Sequence, residues 1–214
     1  MDLAQDGGAQ ICFDITNIRP AGSPIHGFGG IASGPAPLKQ LHENIRTTLS
    51  RRANDEKSNI ITTEDLADLI NLLGVCVVSG GVRRSAELLL GDPNDYAFMN
   101  LKNPDVFPAR NSYDPSTPGH GWASNNSVKV RAGGIPDEAI AGALLKGEPG
   151  FINMDLLGEG RLDDAEYPED NPVCVNPCAE AQLEHAELCC LFEIVLPRQR
   201  SIEDFENSCR LAFL

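Results

Sequence analysis

The chain has 214 residues, enough for a sizeable core in one domain or two small ones. Its hydrophobic content of 42% excludes a disordered protein, and its net charge of −14 excludes a broad nucleic-acid surface, though not a single bound nucleotide. No apolar run reaches the length of a membrane span, Met1-Asp2-Leu3 opens no signal peptide, and seven cysteines then imply a reducing, cytoplasmic setting with thiol chemistry.

Residues 1–10 read as a loose polar lead-in, and Ile11 to Ile15 alternates like a strand with Cys12 packed in a core. Residues 19–37 are rich in Gly, Pro and Ser, an irregular segment of the kind that binds a ligand closely. Leu38, Leu41, Ile45 and Leu49 recur at helical spacing, with Pro37 at the start. Arg51 to Asn59 reads as a solvated connection. Thr63 is the expected N-cap of a second helix whose stripe is Leu66, Leu69, Ile70 and Leu73. Gly74 is expected to stop that helix, and Val75 to Val78 to form a buried strand.

Gly80, Gly81, Val82, Arg83, Arg84 and Ser85 follow. Glycine amides beside guanidinium forks make an anion site, although a plain surface turn reads the same way. Asp92 to Leu101 suggests a helix with Phe98 in the core, then residues 102–121 a long loop ending near Trp122, a packing anchor. Ser124, Asn125 and Asn126 are unusual beside a strand, and buried amides and hydroxyls need partners that a ribose or base edge supplies. Asp137 to Leu145 reads as a helix, Gly150 to Asn153 as a short strand, and 163–170 as an exposed acidic run without the spacing of a calcium loop. A helix from Ser201 is still running at Leu214, as expected of text cut from something longer. This alternation of strands and helices implies an α/β architecture with parallel strands.

The densest chemistry is Asn176-Pro177-Cys178-Ala179-Glu180, followed by Cys189-Cys190-Leu191-Phe192-Glu193. At i, i+2 and i+4, Asn176, Cys178 and Glu180 are expected to face one cavity as an amide, a thiol and a carboxylate. A buried Glu180 would serve as a general base, Asn176 would fix a hydroxyl, and Cys178 would be a nucleophile, metal ligand or redox centre. The alternative is that Cys178 and Cys189 are small packed hydrophobes.

These blocks resemble the ribonucleotide reductases, and most of all the adenosylcobalamin-dependent (class II) enzymes. The resemblance rests on Asn176 to Glu180 and Glu187 to Ile194, on Arg19 to Ile25, Gly27 to Gly30 and Ala32 to Pro35, on Gly80 to Glu87, and on Ser124 to Val128. It implies that residues 1–214 are the central portion of a ten-stranded α/β barrel, incomplete at both ends, with a central finger loop carrying the radical cysteine.

By the same resemblance, homolysis of the cobalt–carbon bond turns Cys178 into a thiyl radical that removes the ribose 3′ hydrogen. Glu180 takes the 3′-hydroxyl proton, Asn176 holds the ribose hydroxyls, and Cys189 is one half of the redox pair that reduces the 2′ carbon. Ser124, Asn125 and Asn126 line the substrate pocket, and Gly80 to Ser85 relay the identity of a deoxynucleotide effector. The implied partners are a ribonucleoside triphosphate or diphosphate, a dithiol reductant such as thioredoxin, and the remaining reductase fragments. The residues that touch adenosylcobalamin lie outside this chain, and no nucleic acid, membrane or metal ion is implied. Family members carry Asn where this chain has Cys190, which sets a second thiol in competition with Cys189. Neither Cys12 nor Cys76 sits in matching text, so the chain alone is not expected to turn over. Two other readings stay open. One is a metal module of Cys174, Cys178, Cys189 and Cys190, and the other a non-catalytic nucleotide-binding remnant.

Overall fold

The computed structural model describes residues 12–27, 29–55, 60–81, 86–132, 134–161, 169–189 and 192–212. The chain divides into two compact units, 1–155 and 156–214. No helix among the described residues is long and apolar enough to cross a membrane.

Unit 1 contains the helices α1 (Ala36–Ala53), α2 (Thr63–Val78), α3 (Tyr96–Met99) and α4 (Asp137–Lys146), with strands β1 (Glu87–Gly91), β2 (Ser124–Val130) and β3 (Gly150–Asn153). The strands form a parallel sheet in the order β1-β2-β3, with Leu88 beside Asn125 and Val128 beside Phe151. Phe98, Leu101, Val128, Val130, Ala67 and Ala139 make the core between sheet and helices. A parallel α/β arrangement is therefore present, as the alternation of elements predicts.

The helices start where local chemistry provides partners for free amides. The N-cap of α2 is Thr62, one residue earlier than expected, because Thr62 and Asp65 form a reciprocal capping box. Asp65 is fully buried and also receives Arg51 at 2.7 Å and Arg52 at 2.6 Å. Arg51 and Arg52 are thus the last turn of α1 clamping the first turn of α2, not part of a solvated loop. Burial pushes the Asp65 carboxyl up, but the bonds from Arg52, Thr62 and Arg51 together hold it well below the usual carboxylate range.

Several sequence expectations are corrected here. Gly74 does not stop α2, and Val75 to Val78 continue the helix. The glycine instead allows close approach to β1: a Cβ at that position would lie 2.6 Å from Glu87 Oε1. Packing overrides the β-branched preference of the last turn. Residues 12–15 are irregular and Cys12 is exposed, with the Phe13 ring set against His42 of α1 at a centroid distance of 4.2 Å and a tilt of 44°. Only Tyr96–Met99 of the expected 92–101 helix is helical, because Asp95 caps it late, at Phe98 N. Trp122 is 63% exposed in a short 3-10 turn, its Nε1 donating to Gly119 O at 3.0 Å, so it anchors no core.

The Gly-rich segment is ordered by a small ladder, Gly22 N to Ala32 O at 2.9 Å and Ala32 N to Ser23 O at 2.8 Å. It rests on the end of α2, where the Ser79 hydroxyl donates to Ser33 Oγ at 2.9 Å.

Unit 2 is an antiparallel pair, β4 (Cys174–Val175) with β5 (Gln182–Leu183), then a 3-10 turn at Leu196–Arg198 and helix α5 (Ile202–Ala212). Here α5 starts next to Ser201, as its acidic first turn predicts.

Candidate active-site hairpin

The two short strands of unit 2 exist to present the six residues between them. Asn176 N donates to Ala181 O at 2.9 Å, and Ala179 N to Asn176 O at 2.9 Å, closing a tight turn. Ala179 sits at φ 68, a left-handed conformation that a non-glycine residue adopts at a cost of about 1 kcal/mol. The Asn176 side chain is almost wholly buried and is spent inside the hairpin: Oδ1 accepts from Ala181 N at 3.0 Å, and Nδ2 donates to Cys189 Sγ at 3.3 Å.

Cys178 and Glu180 are exposed at the tip. The expected alternation of Asn176, Cys178 and Glu180 along one face therefore does not hold, since a turn replaces the extended backbone on which it depends. Nor is Glu180 buried, so these residues do not supply the desolvation that a general-base role rests on. The packed-hydrophobe alternative fails as well, because Cys178 and Cys189 are both exposed. Asn176 and Cys189 are brought together across 13 residues of sequence. Cys190 lies outside the described residues.

Arg161, which the sequence reading passed over, fastens this hairpin. Its Nε reaches both oxygens of Asp170 at 2.9 and 2.8 Å, its NH2 reaches both of Glu187 at 2.7 and 2.8 Å, and its NH1 donates to the Gln182 carbonyl. That contact and the backbone amide of Glu184 hold the Glu187 carboxyl below its ordinary range. No motif surrounds Arg161, so only the fold reveals it.

Asp170, Glu184 and Glu187 bring one oxygen each within 4.8 Å of one another. Two of those carboxylates already face the Arg161 guanidinium, which would repel a cation. Among the described residues, Cys174, Cys178 and Cys189 do not gather as a set of metal ligands.

In unit 1, Ser124 and Asn126 are buried and point toward α2. Asn71 Nδ2 donates to Ser124 Oγ at 2.8 Å, and Ser124 Oγ to Asn126 Oδ1 at 2.8 Å. Arg110 is 2% exposed and continues the chain, bonding Asn71 Oδ1 at 2.7 Å and Asp68 Oδ1 at 2.8 Å. His120 Nε2 stands 2.7 Å from the same Asp68 oxygen. Protein groups, not a sugar or base, thus supply these partners, apart from Asn126 Nδ2, which is buried with none. Asn125 faces the other side of the sheet and is exposed. Lys102 reaches the Ser124 carbonyl at 2.7 Å and Glu148 at 3.4 Å, and burial pushes the lysine down and the glutamate up. Asn71 and Arg110 carried no sequence signal as partners of β2.

Of the expected effector loop, Gly80 and Gly81 are described, while Val82, Arg83, Arg84 and Ser85 lie outside the described residues. Gly80 has φ 98, and a Cβ there would lie 2.7 Å from Ile31 O, so the glycine packs directly on the Gly-rich segment.

Residues 2–49 match the family model described as the insertion domain of B12-dependent ribonucleotide reductase. A probable adenosylcobalamin-dependent ribonucleoside-triphosphate reductase of Dictyostelium discoideum is 38% identical over 205 residues, covering 94% of this chain and 26% of that protein. Over most of its length, this chain is similar in sequence to B12-dependent ribonucleotide reductases. The reductase of Lacticaseibacillus paracasei is 41% identical over 192 residues, 88% of this chain and 24% of its own length. A crystal structure of a B12-dependent (class II) ribonucleotide reductase superposes with a TM-score of 0.57 at 37% identity, over 77% of this chain and 21% of the other. The chain thus spans about a quarter of the length of the reductases it matches.

Proposed function

We propose that this chain supplies the finger loop and one side of the α/β barrel of an adenosylcobalamin-dependent ribonucleoside-triphosphate reductase. The observation that carries this reading is the hairpin, with Cys178 open at its tip and Asn176 bonded to Cys189 behind it. A radical thiol must meet substrate, so it belongs at an exposed tip, and a reducing thiol must stand close behind. Adenosylcobalamin, when bound, supplies the radical. Cys178 stands exposed at the tip of its hairpin, and no residue of this chain is assigned to hold the corrin.

In this reading Cys178, as thiyl, takes the ribose 3′ hydrogen, and Glu180 receives the 3′-hydroxyl proton. The 2′ hydroxyl leaves as water with a thiol proton. Cys189 and a second thiol of the whole barrel supply two electrons and the hydrogen that ends on the 2′ carbon, and become a disulfide. Glu180 and Cys178 return the proton and hydrogen to the 3′ oxygen and carbon as the thiyl re-forms. A dithiol such as thioredoxin then restores the pair. Asn176 keeps one amide hydrogen beyond its bond to Cys189, and offering it to a ribose hydroxyl requires the turn to open, because the side chain is almost wholly buried. In this reading Asn125, exposed on β2, is the member of the Ser124-Asn125-Asn126 set that meets substrate, with Ser124 and Asn126 holding the strand. Gly80 to Ser85 take the deoxynucleotide effector.

The test is reconstitution of this chain with polypeptides carrying the remaining barrel portions, adenosylcobalamin, a dithiol and a ribonucleoside triphosphate. Deoxynucleotide is expected from the mixture, none from this chain alone, and none with Cys178→Ala. Turnover that survives Cys178→Ala would sink the assignment. Deoxynucleotide binding without any turnover in the mixture would favour the non-catalytic remnant.

A further inference from the structure

The geometry points to Arg161 as the positioning residue that sets Cys189 against Asn176. This rests on the reading above, in which those two side chains and Cys178 form the site. A single guanidinium fork touches three separate stretches: Asp170 before β4, the Gln182 carbonyl on β5, and Glu187 beyond the hairpin. It therefore ties the entry, the return strand and the exit of the finger loop to one rigid plane.

The exit matters most. Glu187 Oε2 accepts from Glu184 N at 2.7 Å as well as from Arg161, which fixes the turn from Glu184 to Glu187. Ala186 lies within that turn at φ 67, a left-handed conformation that needs such support. Cys189 follows two residues after Glu187, and its sulfur arrives 3.3 Å from Asn176 Nδ2. The β4–β5 ladder is only two residue pairs long and includes one buried apolar side chain, Val175, so it cannot hold this alignment by packing. Gln182, which carries the carbonyl that Arg161 grips, pairs with Val175 immediately before Asn176. Both members of the Asn176–Cys189 contact are thus indexed to the same guanidinium.

The experiment follows the Asn176 side-chain amide of the whole chain by nitrogen-15 NMR. In Cys189→Ala that resonance marks the position it takes once the sulfur contact is lost. Arg161→Met is expected to move it to that same position, while the amides of Val128 and Val130 in unit 1 stay in place. Arg161→Lys, which keeps the charge and loses the fork, is expected to behave like Arg161→Met. Glu187→Gln, a milder change, is expected to move the resonance part of the way.

An Asn176 amide that stays at its wild-type position in Arg161→Met would overturn the proposal, and so would full rescue by lysine. Collapse of every unit 2 resonance in Arg161→Met and Glu187→Gln alike would also overturn it, making Arg161 a folding staple. No turnover is read in this experiment, so failure of the reductase reading would show separately, in the reconstitution.

Discussion

Unit 1 keeps Arg110 under cover, bonded to Asp68 and Asn71 beside the same face of β2 that carries the core residues Val128 and Val130, whereas unit 2 holds Arg161 around a hairpin with little apolar packing. Both arginines join segments far apart in sequence through charge-assisted bonds. The difference lies in what remains when the arginine is removed. Without Arg110, the Asn71 carbonyl is stranded in the interior and Asp68 keeps only His120 as a partner, where a poorly compensated charge is costly. Without Arg161, Glu187 at the surface returns to water and keeps the Glu184 amide, and the loss there is one of alignment. A polar network can therefore serve stability in one unit and geometry in the other.

The sharpest way to break that contrast is Arg110→Met. It is expected to destabilise unit 1 by about 3–5 kcal/mol, the usual cost of removing one partner of a buried pair. Urea unfolding read from unit 1 amides would show it, and a loss under about 1 kcal/mol would mean the network is not what holds β2 to α2.

A smaller effect is expected at Asp65. Its folded-state carboxyl is held below the unfolded value of about 3.9, so its contribution is fully present above that value and is lost as pH falls toward the folded one. Melting temperatures of unit 1 should drop below roughly pH 4, and Asp65→Asn should flatten that decline while costing on the order of 1–2 kcal/mol at neutral pH through the lost cap. An unchanged acid profile in the variant would assign the decline to other carboxylates.

The smallest effect on stability belongs to Cys178→Ala. The side chain is exposed at the turn, so unfolding should change by no more than about 0.5 kcal/mol even as turnover in the reconstituted reductase disappears. A clear loss of stability would show that the tip thiol is structural.

Much of this was legible in the sequence where one local rule decides. Helical periodicity located α1 and α4, and Ser201 with its acidic neighbours located α5. The last turn of α2 was misread because Gly74 and the valines after it follow local preference toward a break and a strand. The contact that decides the matter, Gly74 against Glu87, is tertiary. The hairpin stands out in the sequence as one dense group of polar and thiol residues, yet its facing does not, since two-residue alternation applies to strands and Asn176 to Ala181 is a turn. Arg110 and Arg161 were invisible for a plainer reason: nothing in a lone arginine says which distant carboxylate will meet it.

One consequence follows from how α2 is fastened. Its sixteen residues span about 24 Å, with the first turn pinned by Arg51 and Arg52 and the last abutting Ser33 and Ile31. Midway along it stand Asp68 and Asn71, which grip Arg110 and Ser124. The helix behaves as a beam supported at both ends and loaded at the centre. A displacement of the Gly-rich segment cannot be absorbed at the near end alone. It must tilt the beam, and the strand carrying Asn125 hangs from its middle.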